Sequence, residues 1–434
     1  MNIEELLGSF VRRLNRRDMH LSPSTLDSSL PAPAPGLKYL LYLHVPYCIA
    51  LCPFCSFHRV KFERDSATRY FDCLRREISL VTDAGYSFDE LYVGGGTPTV
   101  LPDELVATIA AVRARHAVDD ISVETNPDHL RADALQELKQ AGVTRLSVGV
   151  QSFDDNLLKA MRRFDNYGSG PQIAARLKEV RGIIDTVNVD MIFNLPQQTE
   201  SSLRHDLDVL VDDVAADQVS FYPLMTSDST RAEMSRTMGT SSLSRQKDYY
   251  QLITERMLSA GYLRSSAWCF SRKPGMYDEY IVDREQYVGL GSGAFSFLKG
   301  ALFANTFSIG GYMELLEAGK SSVASKRAMS AHDQKRYYLL MRLFGGTLDK
   351  ECAEERFNGE FQHGLWAELT ALKAIDAVRD TGKSLVLTER GYYLWVVLMR
   401  EFFSETNTLR DQMRHDIDRP SSVRNSEEST NVRA

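Results

Sequence analysis

Three cysteines lie close together near the start of the chain, in the run Cys48-Ile49-Ala50-Leu51-Cys52-Pro53-Phe54-Cys55. Thiolates are the protein ligands of iron–sulfur clusters, and a cubane [4Fe–4S] cluster needs four ligands. Three cysteines therefore leave one iron open to another molecule. The alternative is a zinc site completed by His44 or His58, although C-x3-C-x2-C is not a usual zinc spacing. The spacing favours the cluster.

Other residues suited to ligand binding follow short apolar stretches. Gly94–Gly96 would let the backbone approach a ligand closely, because no Cβ screens the N–H and C=O groups. Glu124 and Asp190 suit ribose hydroxyls or ammonium groups, Gln151 offers a donor and an acceptor, and Arg163 is suited to binding a carboxylate. Each also has a structural interpretation: a tight loop, a salt bridge or a solvated helix charge.

The elements that must position these residues alternate between strand and helix patterns from residue 38 onward. The predicted strands are short, apolar and rich in β-branched or aromatic residues: Tyr39–His44, Glu90–Val93, Asp119–Glu124, Arg145–Val150, Thr186–Ile192 and Gln218–Tyr222. Helical patterns lie between them, at 67–83, 103–116, 131–141, 154–162 and 200–213. Six such units predict parallel strands with helical crossovers, and chemistry at the carboxyl ends of the strands. The predicted fold class is α/β, a partial (β/α)6 barrel with a C-terminal α-rich, winged-helix-like domain.

The predicted domain organisation has five segments. They are an N-terminal amphipathic helix and linker (1–37), the barrel (38–225), a connecting or substrate region (226–330), a C-terminal helical domain (331–404) and a disordered tail (405–434). Within the first segment, residues 1–18 place apolar side chains on one helical face, flanked by arginines. Such a helix either packs on the barrel or meets a membrane surface.

Composition narrows the possible classes of function. The chain has 434 residues, a net charge of −7 and six cysteines. It lacks the basic footprint of a nucleic-acid binder, an apolar run of about 18 residues that could span a membrane, and the apolar core of a signal peptide. Six cysteines are too few for a disulfide scaffold, so we expect a reducing compartment. The predicted location is the cytoplasm, with contact to the inner membrane face if residues 1–18 bind lipid.

The segment His44–Cys48 with the cysteine triplet after a first strand resembles the radical S-adenosylmethionine (SAM) superfamily. More narrowly, it resembles the branch typified by oxygen-independent coproporphyrinogen dehydrogenase. The resemblance covers about residues 38–400 and includes the motifs at 94–99, 124–127, 149–153, 190–196 and 387–391. It implies a radical SAM barrel with a [4Fe–4S] cluster on Cys48, Cys52 and Cys55. The amino and carboxylate groups of SAM then chelate the open iron, and SAM is cleaved reductively.

The resemblance also implies two SAM-binding sites side by side. The residues that match the first site are Tyr42, Gly95 and Glu124. The residues that match the second site are Phe54, Gly96, Thr97, Gln151, Arg163, Asp190 and Pro223. In this branch an arginine–x–histidine pattern is usual, whereas this chain has Arg163-Phe164-Asp165, preceded by Arg162.

Three functions within the branch are considered. A coproporphyrinogen dehydrogenase carries a further cysteine two residues after the triplet, where this chain has Phe57. A heme-trafficking protein carries a His-Asn…Tyr-Trp segment that is replaced here. The favoured hypothesis is a class C radical SAM methyltransferase, whose first SAM gives a 5′-deoxyadenosyl radical that activates the methyl group of the second. Within this class the segments 277–283 and 287–293 resemble menaquinone C8-methyltransferases. The alternative within the same class is an anaerobic heme-opening methyltransferase.

Addition of the methylene radical to an sp2 carbon requires a general base near the substrate. The predicted catalytic candidates are Asp278, Glu279 and Asp283, with an ordinary polar loop as the alternative. Cys269 is a further candidate for substrate-side chemistry, although a buried structural cysteine is favoured. The expected partners are a quinone or tetrapyrrole substrate and reduced flavodoxin or ferredoxin as the electron donor, with no nucleic acid.

Overall fold

A computed structural model describes residues 21–23, 29–241, 243–274 and 284–417 of the chain. The predicted amphipathic helix 1–18 lies outside these residues. Within them, no helix combines the length and the apolar character needed to cross a membrane.

Eighteen strands form one large sheet and two small ones within the described residues. They are β1 (Ser22–Pro23), β2 (Tyr39–Val45), β3 (Tyr47–Cys48), β4 (Val60–Lys61), β5 (Phe88–Gly95), β6 (Asp120–Thr125), β7 (Arg145–Gln151), β8 (Thr186–Phe193), β9 (Gln218–Pro223), β10 (Leu263–Arg264), β11 (Cys269–Ser271), β12 (Tyr287–Leu290), β13 (Phe295–Leu298), β14 (Ala301–Asn305), β15 (Val323–Ala328), β16 (Thr347–Asp349), β17 (Val378–Asp380) and β18 (Ser384–Leu387). The large sheet has the order β1-β15-β14-β13-β12-β2-β5-β6-β7-β8-β9-β11-β10.

The helices connect these strands and cover the sheet. They are α1 (Arg64–Asp83), α2 (Pro102–Arg113), α3 (Ala132–Ala141), α4 (Asp155–Ala160), α5 (Phe164–Tyr167), α6 (Gly170–Glu179), α7 (Glu200–Asp208), α8 (Asp228–Thr237), α9 (Leu243–Ser259), α10 (Ile309–Glu317), α11 (Ala331–Phe344), α12 (Lys350–Arg356), α13 (Phe361–Gly364), α14 (Trp366–Ala374) and α15 (Glu389–Ile417). A π-helical turn at Val209–Val214 continues α7.

The six predicted parallel strands are confirmed as β2 and β5–β9, with ends within two residues of those expected. Neighbouring strands pair in parallel from β2 to β9, and helices form the crossovers. The apolar sequence of β2 is explained by its burial along its whole length between two layers of helices and loops. The α/β partial barrel is therefore confirmed.

The sheet extends beyond the six predicted strands on both sides. Strand β12 pairs in parallel with β2, and β13–β15 add an antiparallel meander to it. On the other side, β11 pairs antiparallel with β9. These strands are short, and the pairings that attach them to the barrel, β12 with β2 and β11 with β9, join segments far apart in sequence, so local patterning did not reveal them.

Helix α15 is longer than the sequence predicted. A helix to about Phe403 and a disordered tail from residue 405 were expected, but the helix continues to Ile417. The polar composition of the extension misled the prediction, because several of its polar side chains have partners in the barrel. The Arg414 guanidinium donates to the carbonyl of Phe57 at 2.7 Å, and Asn407 donates to the carbonyl of Met225 at 3.5 Å.

The glycine-rich run after β12 packs against the start of the barrel. Gly291 has a φ of 98°, and a Cβ there would lie 2.4 Å from the carbonyl oxygen of His44. Its N–H donates to the buried carboxylate of Glu77 at 2.7 Å, which also accepts from the Tyr312 hydroxyl at 2.8 Å. Burial raises the pKa of Glu77. Gly291, one residue of the sequence that suggested a quinone methyltransferase, therefore has a packing role.

We predict that Gly291→Ala lowers the free energy of unfolding by about 3 kcal/mol, because it combines an unfavourable positive φ with a backbone clash. The matched control is Gly310→Ala in α10, where a Cβ meets no atom within 4 Å. That change should be neutral or stabilising by up to about 1 kcal/mol. Chemical denaturation of both variants measures the difference, and equal stabilities would contradict the packing described for Gly291.

Candidate functional site

The cysteine loop, residues 48–59, follows β2 and β3 at the carboxyl end of the parallel strands. Backbone bonds fix its two ends: the N–H of Val60 donates to the carbonyl of Pro46 at 2.7 Å, and the N–H of Phe62 to that of Cys48 at 2.8 Å. Inside the loop, the Arg59 guanidinium donates to the carbonyls of Cys52 and Cys55 at 2.5 and 2.8 Å. The loop that carries the three thiols is therefore held from within.

The glycine segment, Gly94–Gly96, lies directly against the cysteine loop. The N–H of Gly96 donates to the carbonyl of Val45 at 2.8 Å. A Cβ on Gly96 would stand 2.7 Å from the Tyr47 carbonyl oxygen, and a Cβ on Gly95 would stand 2.6 Å from the His44 ring. A Cβ on Gly94 would come within 2.6 Å of the neighbouring carboxylate. No residue larger than glycine fits these positions without displacing the site.

Glu124, at the end of β6, is the neighbouring carboxylate. Its oxygens accept hydrogen bonds from the Tyr92 hydroxyl and from the N–H of Gly95, each at 3.0 Å. Tyr42 lies beside this group on β2, and burial raises the pKa of its hydroxyl far above the ordinary value. The three residues that match the first SAM site, Tyr42, Gly95 and Glu124, line one common cavity.

This cavity has a volume of about 350 Å³. It begins at the thiols of Cys48, Cys52 and Cys55 and extends past the ends of the parallel strands to β13–β15 and α15. It thus unites the cysteine loop with parts of the chain far away in sequence. A cavity of this volume and partly apolar lining is suited to small organic ligands.

Six of the seven residues that match the second SAM site line the same cavity: Phe54, Gly96, Gln151, Arg163, Asp190 and Pro223. Asp190 accepts hydrogen bonds from Ser147 at 2.9 Å and Asn188 at 2.7 Å. Gln151 has a φ of 77° at an irregularity in the pairing of β7 with β8. Such a conformation is uncommon for a residue with a side chain, and it is often found at functional sites.

Thr97, the seventh residue, is buried behind the cavity wall. Its hydroxyl donates to the Cys48 sulfur at 3.6 Å and accepts from the Asn126 amide at 2.8 Å. Arg163 also reaches a cysteine, since its Nη1 donates to the Cys52 sulfur at 3.4 Å. Arg163 therefore lines the cavity and Thr97 lies behind its wall, and each of them contacts a thiol.

His44 and His58 are buried behind the cysteine loop with their rings stacked. The Nε2–H of His44 donates to the His58 carbonyl at 2.8 Å, so its Nδ1 accepts from the Tyr42 hydroxyl, also at 2.8 Å. His58 Nε2 bonds to the Ser292 hydroxyl at 3.1 Å. Burial lowers the pKa of His44 to about 4, which keeps the ring neutral.

These contacts disfavour His44 as a zinc ligand, because they engage both of its ring nitrogens, whereas His58 Nδ1 is buried without a hydrogen-bond partner. In the described part of the chain, no three His, Cys, Asp or Glu side chains are arranged around a single metal ion. A cubane cluster has a different requirement, since each thiolate binds a different iron. The three cysteines face one cavity, none is in a disulfide, and Thr97 and Arg163 donate to two of the sulfurs. They fit a cluster.

The remaining predicted site residues are the three candidate bases and Cys269. Asp278, Glu279 and Asp283 lie outside the described residues, so their role as a base stays a prediction. Cys269 is fully buried in β11, where the Ser220 hydroxyl contacts its sulfur at 3.6 Å, and it does not line the cavity. Its structural interpretation is favoured.

Sequence reasoning missed four polar residues of the site. Asn126 lies within a quoted motif but received no role, and Arg59 follows Cys55 closely enough to have been noticed. Arg327 and Arg410 line the far end of the cavity. No local signal could have identified these two, because they reach the cavity from β15 and α15.

The chain is similar to known proteins both in its sequence profile and in its fold. Residues 42–210 match the sequence profile of the family described as "Radical SAM superfamily". The solved structure of coproporphyrinogen III oxidase from Escherichia coli, described as a radical SAM enzyme, superimposes with a TM-score of 0.71 at 22% identity and covers 84% of this chain and 90% of that one. In its fold, its thiol triplet and its profile match the chain is similar to radical SAM proteins, a class whose cofactors are a [4Fe–4S] cluster and SAM.

Two curated proteins are similar to this chain in sequence. The heme chaperone HemW of Bacillus subtilis is 26% identical over 380 residues, which cover 84% of this chain and 99% of the relative. The anaerobilin synthase of Escherichia coli O157:H7 is 29% identical over 299 residues, 65% of this chain and 66% of the relative. Over most of its length the chain is thus similar to heme chaperones and to coproporphyrinogen III oxidase. These comparisons give no support to menaquinone as the substrate or to methyl transfer.

We predict a pH dependence of stability from His44. Its pKa rises from about 4 in the folded protein to the ordinary 6.5 on unfolding, so the unfolded chain binds more protons between these values. Stability is therefore lost as the pH falls through this window, by about 2.5 kcal/mol from pH 7 to pH 4.5. Chemical denaturation of metal-free wild type and His44→Gln at both pH values measures the loss. The variant should lose about 2.5 kcal/mol less than wild type, because it lacks the His44 contribution. Equal losses would contradict the assignment.

Proposed function

We propose that this protein is a radical SAM enzyme whose substrate is a tetrapyrrole with anionic side chains. The observation that carries the proposal is the far end of the cavity, which combines two arginines with an aromatic wall. This lining suits a flat apolar ring system that carries carboxylates at its edge.

The near end of the cavity supports the radical SAM part of the proposal. Cys48, Cys52 and Cys55 would hold the cluster, and the segment around Gly95 and Glu124 would bind SAM. When bound and reduced by flavodoxin or ferredoxin, the cluster supplies the electron that cleaves SAM into methionine and a 5′-deoxyadenosyl radical. The protein residues orient SAM: the carboxylate of Glu124, held by Tyr92 and the Gly95 N–H, can accept hydrogen bonds from hydroxyl or ammonium groups.

The far end of the cavity supports the tetrapyrrole part. Its wall carries the aromatic side chains Tyr287, Phe295, Phe297, Tyr337, Phe402 and Phe403. Arg410 lies 5.1 Å from the Phe57 ring and 5.6 Å from the Phe295 ring, so it borders this wall on one side. Arg327 borders it from β15. Among the described lining residues the acids are Glu124 and Asp190, which belong to the SAM end.

The names of the relatives agree with this chemistry, since heme, coproporphyrinogen and a bilin are all tetrapyrroles. Heme and coproporphyrinogen carry propionate carboxylates that arginines can bind. A menaquinone has a neutral prenyl chain that makes no use of the two arginines, so we do not favour the quinone predicted from the sequence. Transfer of a methyl group would require a second SAM, for which six of the seven matching residues line the cavity.

We predict that Arg410→Met and Arg327→Met each weaken the binding of coproporphyrin III about tenfold, because each removes one charge-assisted bond of about 1.5 kcal/mol. The matched control is Arg390→Met, which changes an exposed arginine at the other end of α15. Anaerobic titration followed by porphyrin fluorescence gives the affinities. A porphyrin ester without free carboxylates should bind wild type and variants alike.

Tetrapyrrole binding that is equally strong in wild type and both cavity variants would contradict the role of the arginines. Turnover with SAM and reductant then tests the class of reaction by mass spectrometry. Formation of 5′-deoxyadenosine with a modified tetrapyrrole supports the proposal, and additional S-adenosylhomocysteine identifies methyl transfer. Methylation of a short-chain menaquinone, with tetrapyrroles left unchanged, would overturn the proposal in favour of the quinone.

A further inference from the structure

We infer that Arg163, Asn126 and Thr97 form a hydrogen-bond bridge between two cluster thiolates and thereby raise the reduction potential of the cluster. We call these three side chains the thiolate bridge. The inference rests on the proposed cluster ligands, but it does not depend on the identity of the substrate. It assigns to Arg163 and Thr97 a role other than binding a second SAM.

The contacts form a continuous path from one sulfur to the other. Arg163 Nη1 donates to the Cys52 sulfur at 3.4 Å, and its Nη2 donates to the Asn126 side-chain oxygen at 3.0 Å. The Asn126 amide donates to the Thr97 hydroxyl at 2.8 Å, and this hydroxyl donates to the Cys48 sulfur at 3.6 Å. The path begins at Arg163 and donates at each step, and its two ends, Arg163 Nη1 and the Thr97 hydroxyl, donate to the sulfurs, so the bridge is oriented to stabilise negative charge on both thiolates.

The guanidinium of Arg163, at the Cys52 end of the thiolate bridge, is held by several contacts. Arg163 is only 4% exposed, its Nη2 also contacts the carbonyl of Gly149, and it lies 4.2 Å from the Tyr167 ring centroid. The preceding residue, Arg162, has a φ of 57° and is exposed, so the backbone turns the two arginines in opposite directions. A buried cation held at a thiol interacts more strongly with it than a solvated one would.

The electrostatic consequence follows from the charge of the cluster. Reduction adds one electron to a centre that is already bound by three thiolates, so its negative charge increases. Hydrogen bonds to the sulfurs and a nearby positive charge favour the more negative, reduced form and raise the potential. Arg59 contacts the carbonyls of Cys52 and Cys55 rather than a sulfur, and it supports the same effect only through its charge.

Binding of the SAM carboxylate is a competing role for Arg163, as the family resemblance implied. The two roles are separable, because a potential measured without SAM depends only on contacts to the cluster. The Arg163 guanidinium donates hydrogen bonds to the Cys52 sulfur, the Asn126 side-chain oxygen and the Gly149 carbonyl. A role limited to SAM would leave the SAM-free potential unchanged.

The experiment compares Arg163→Met and Thr97→Val with wild type, using Arg162→Met as the control. Arg163→Met removes the charge and the bond to Cys52, whereas Thr97→Val is nearly isosteric, keeps the charge, and removes the bond to Cys48 together with the one from Asn126. Each protein is reconstituted anaerobically, and its iron and sulfide are measured. An EPR-monitored redox titration without SAM then gives the midpoint potential of the cluster.

We expect a more negative midpoint in Arg163→Met, a smaller shift in the same direction in Thr97→Val, and the wild-type value in Arg162→Met. If Arg163→Met holds no cluster, Thr97→Val decides: a negative shift supports the bridge, and no shift overturns it. Wild-type midpoints in both variants at full iron content would also overturn it. Wild type without a cluster would instead contradict the proposed function, so the two failures are distinguishable.

Discussion

Close backbone contact between the cysteine loop and the glycine segment is the constraint on which the rest of the site depends. Gly96 and Thr97 donate to the carbonyls of Val45 and Tyr47, which places the end of β5 directly under the first cysteine. A Cβ on Gly94 would collide with Glu124, one on Gly95 with the His44 ring, and one on Gly96 with the Tyr47 carbonyl oxygen. The same contact brings the Gly95 N–H to the Glu124 carboxylate, so the thiols and the SAM-binding positions are fixed by one arrangement of backbone atoms.

The far end of the cavity is built differently, from side chains that come together only in the folded chain. Strands β13–β15 extend the barrel sheet beside β2, and α15 lies over the opening between them. Arg414 and Asn407 connect this helix to the cysteine loop and to the segment after β9. The cysteine loop and the glycine segment are thus formed by local turns at strand ends, whereas the far end of the cavity depends on long-range packing.

This division explains what the sequence could and could not predict. Strands β2 and β5–β9 were predictable because burial in the sheet requires short apolar runs. The cysteines, Gly94–Gly96 and Glu124 were predictable because each belongs to a short sequence motif. The extension of α15 was not predictable, because its polar residues find partners far away in sequence. For the same reason Arg410 carried no signal of a binding role. Thr97 matches the second SAM site by resemblance, and the contact of its hydroxyl with Cys48 carried no signal in the sequence.

The central claim is that three cysteines bind a cubane cluster and leave one iron open to SAM. Mössbauer spectroscopy of ⁵⁷Fe-reconstituted protein, recorded with and without SAM, tests it most directly. We predict about four irons per chain, and a change on SAM addition in about one quarter of the iron signal. Replacing Cys48, Cys52 or Cys55 by alanine should abolish the spectrum, whereas Cys352→Ala, at an exposed cysteine, should preserve it. A single tetrahedral metal per chain, or a cluster spectrum that SAM leaves unchanged, would contradict the account.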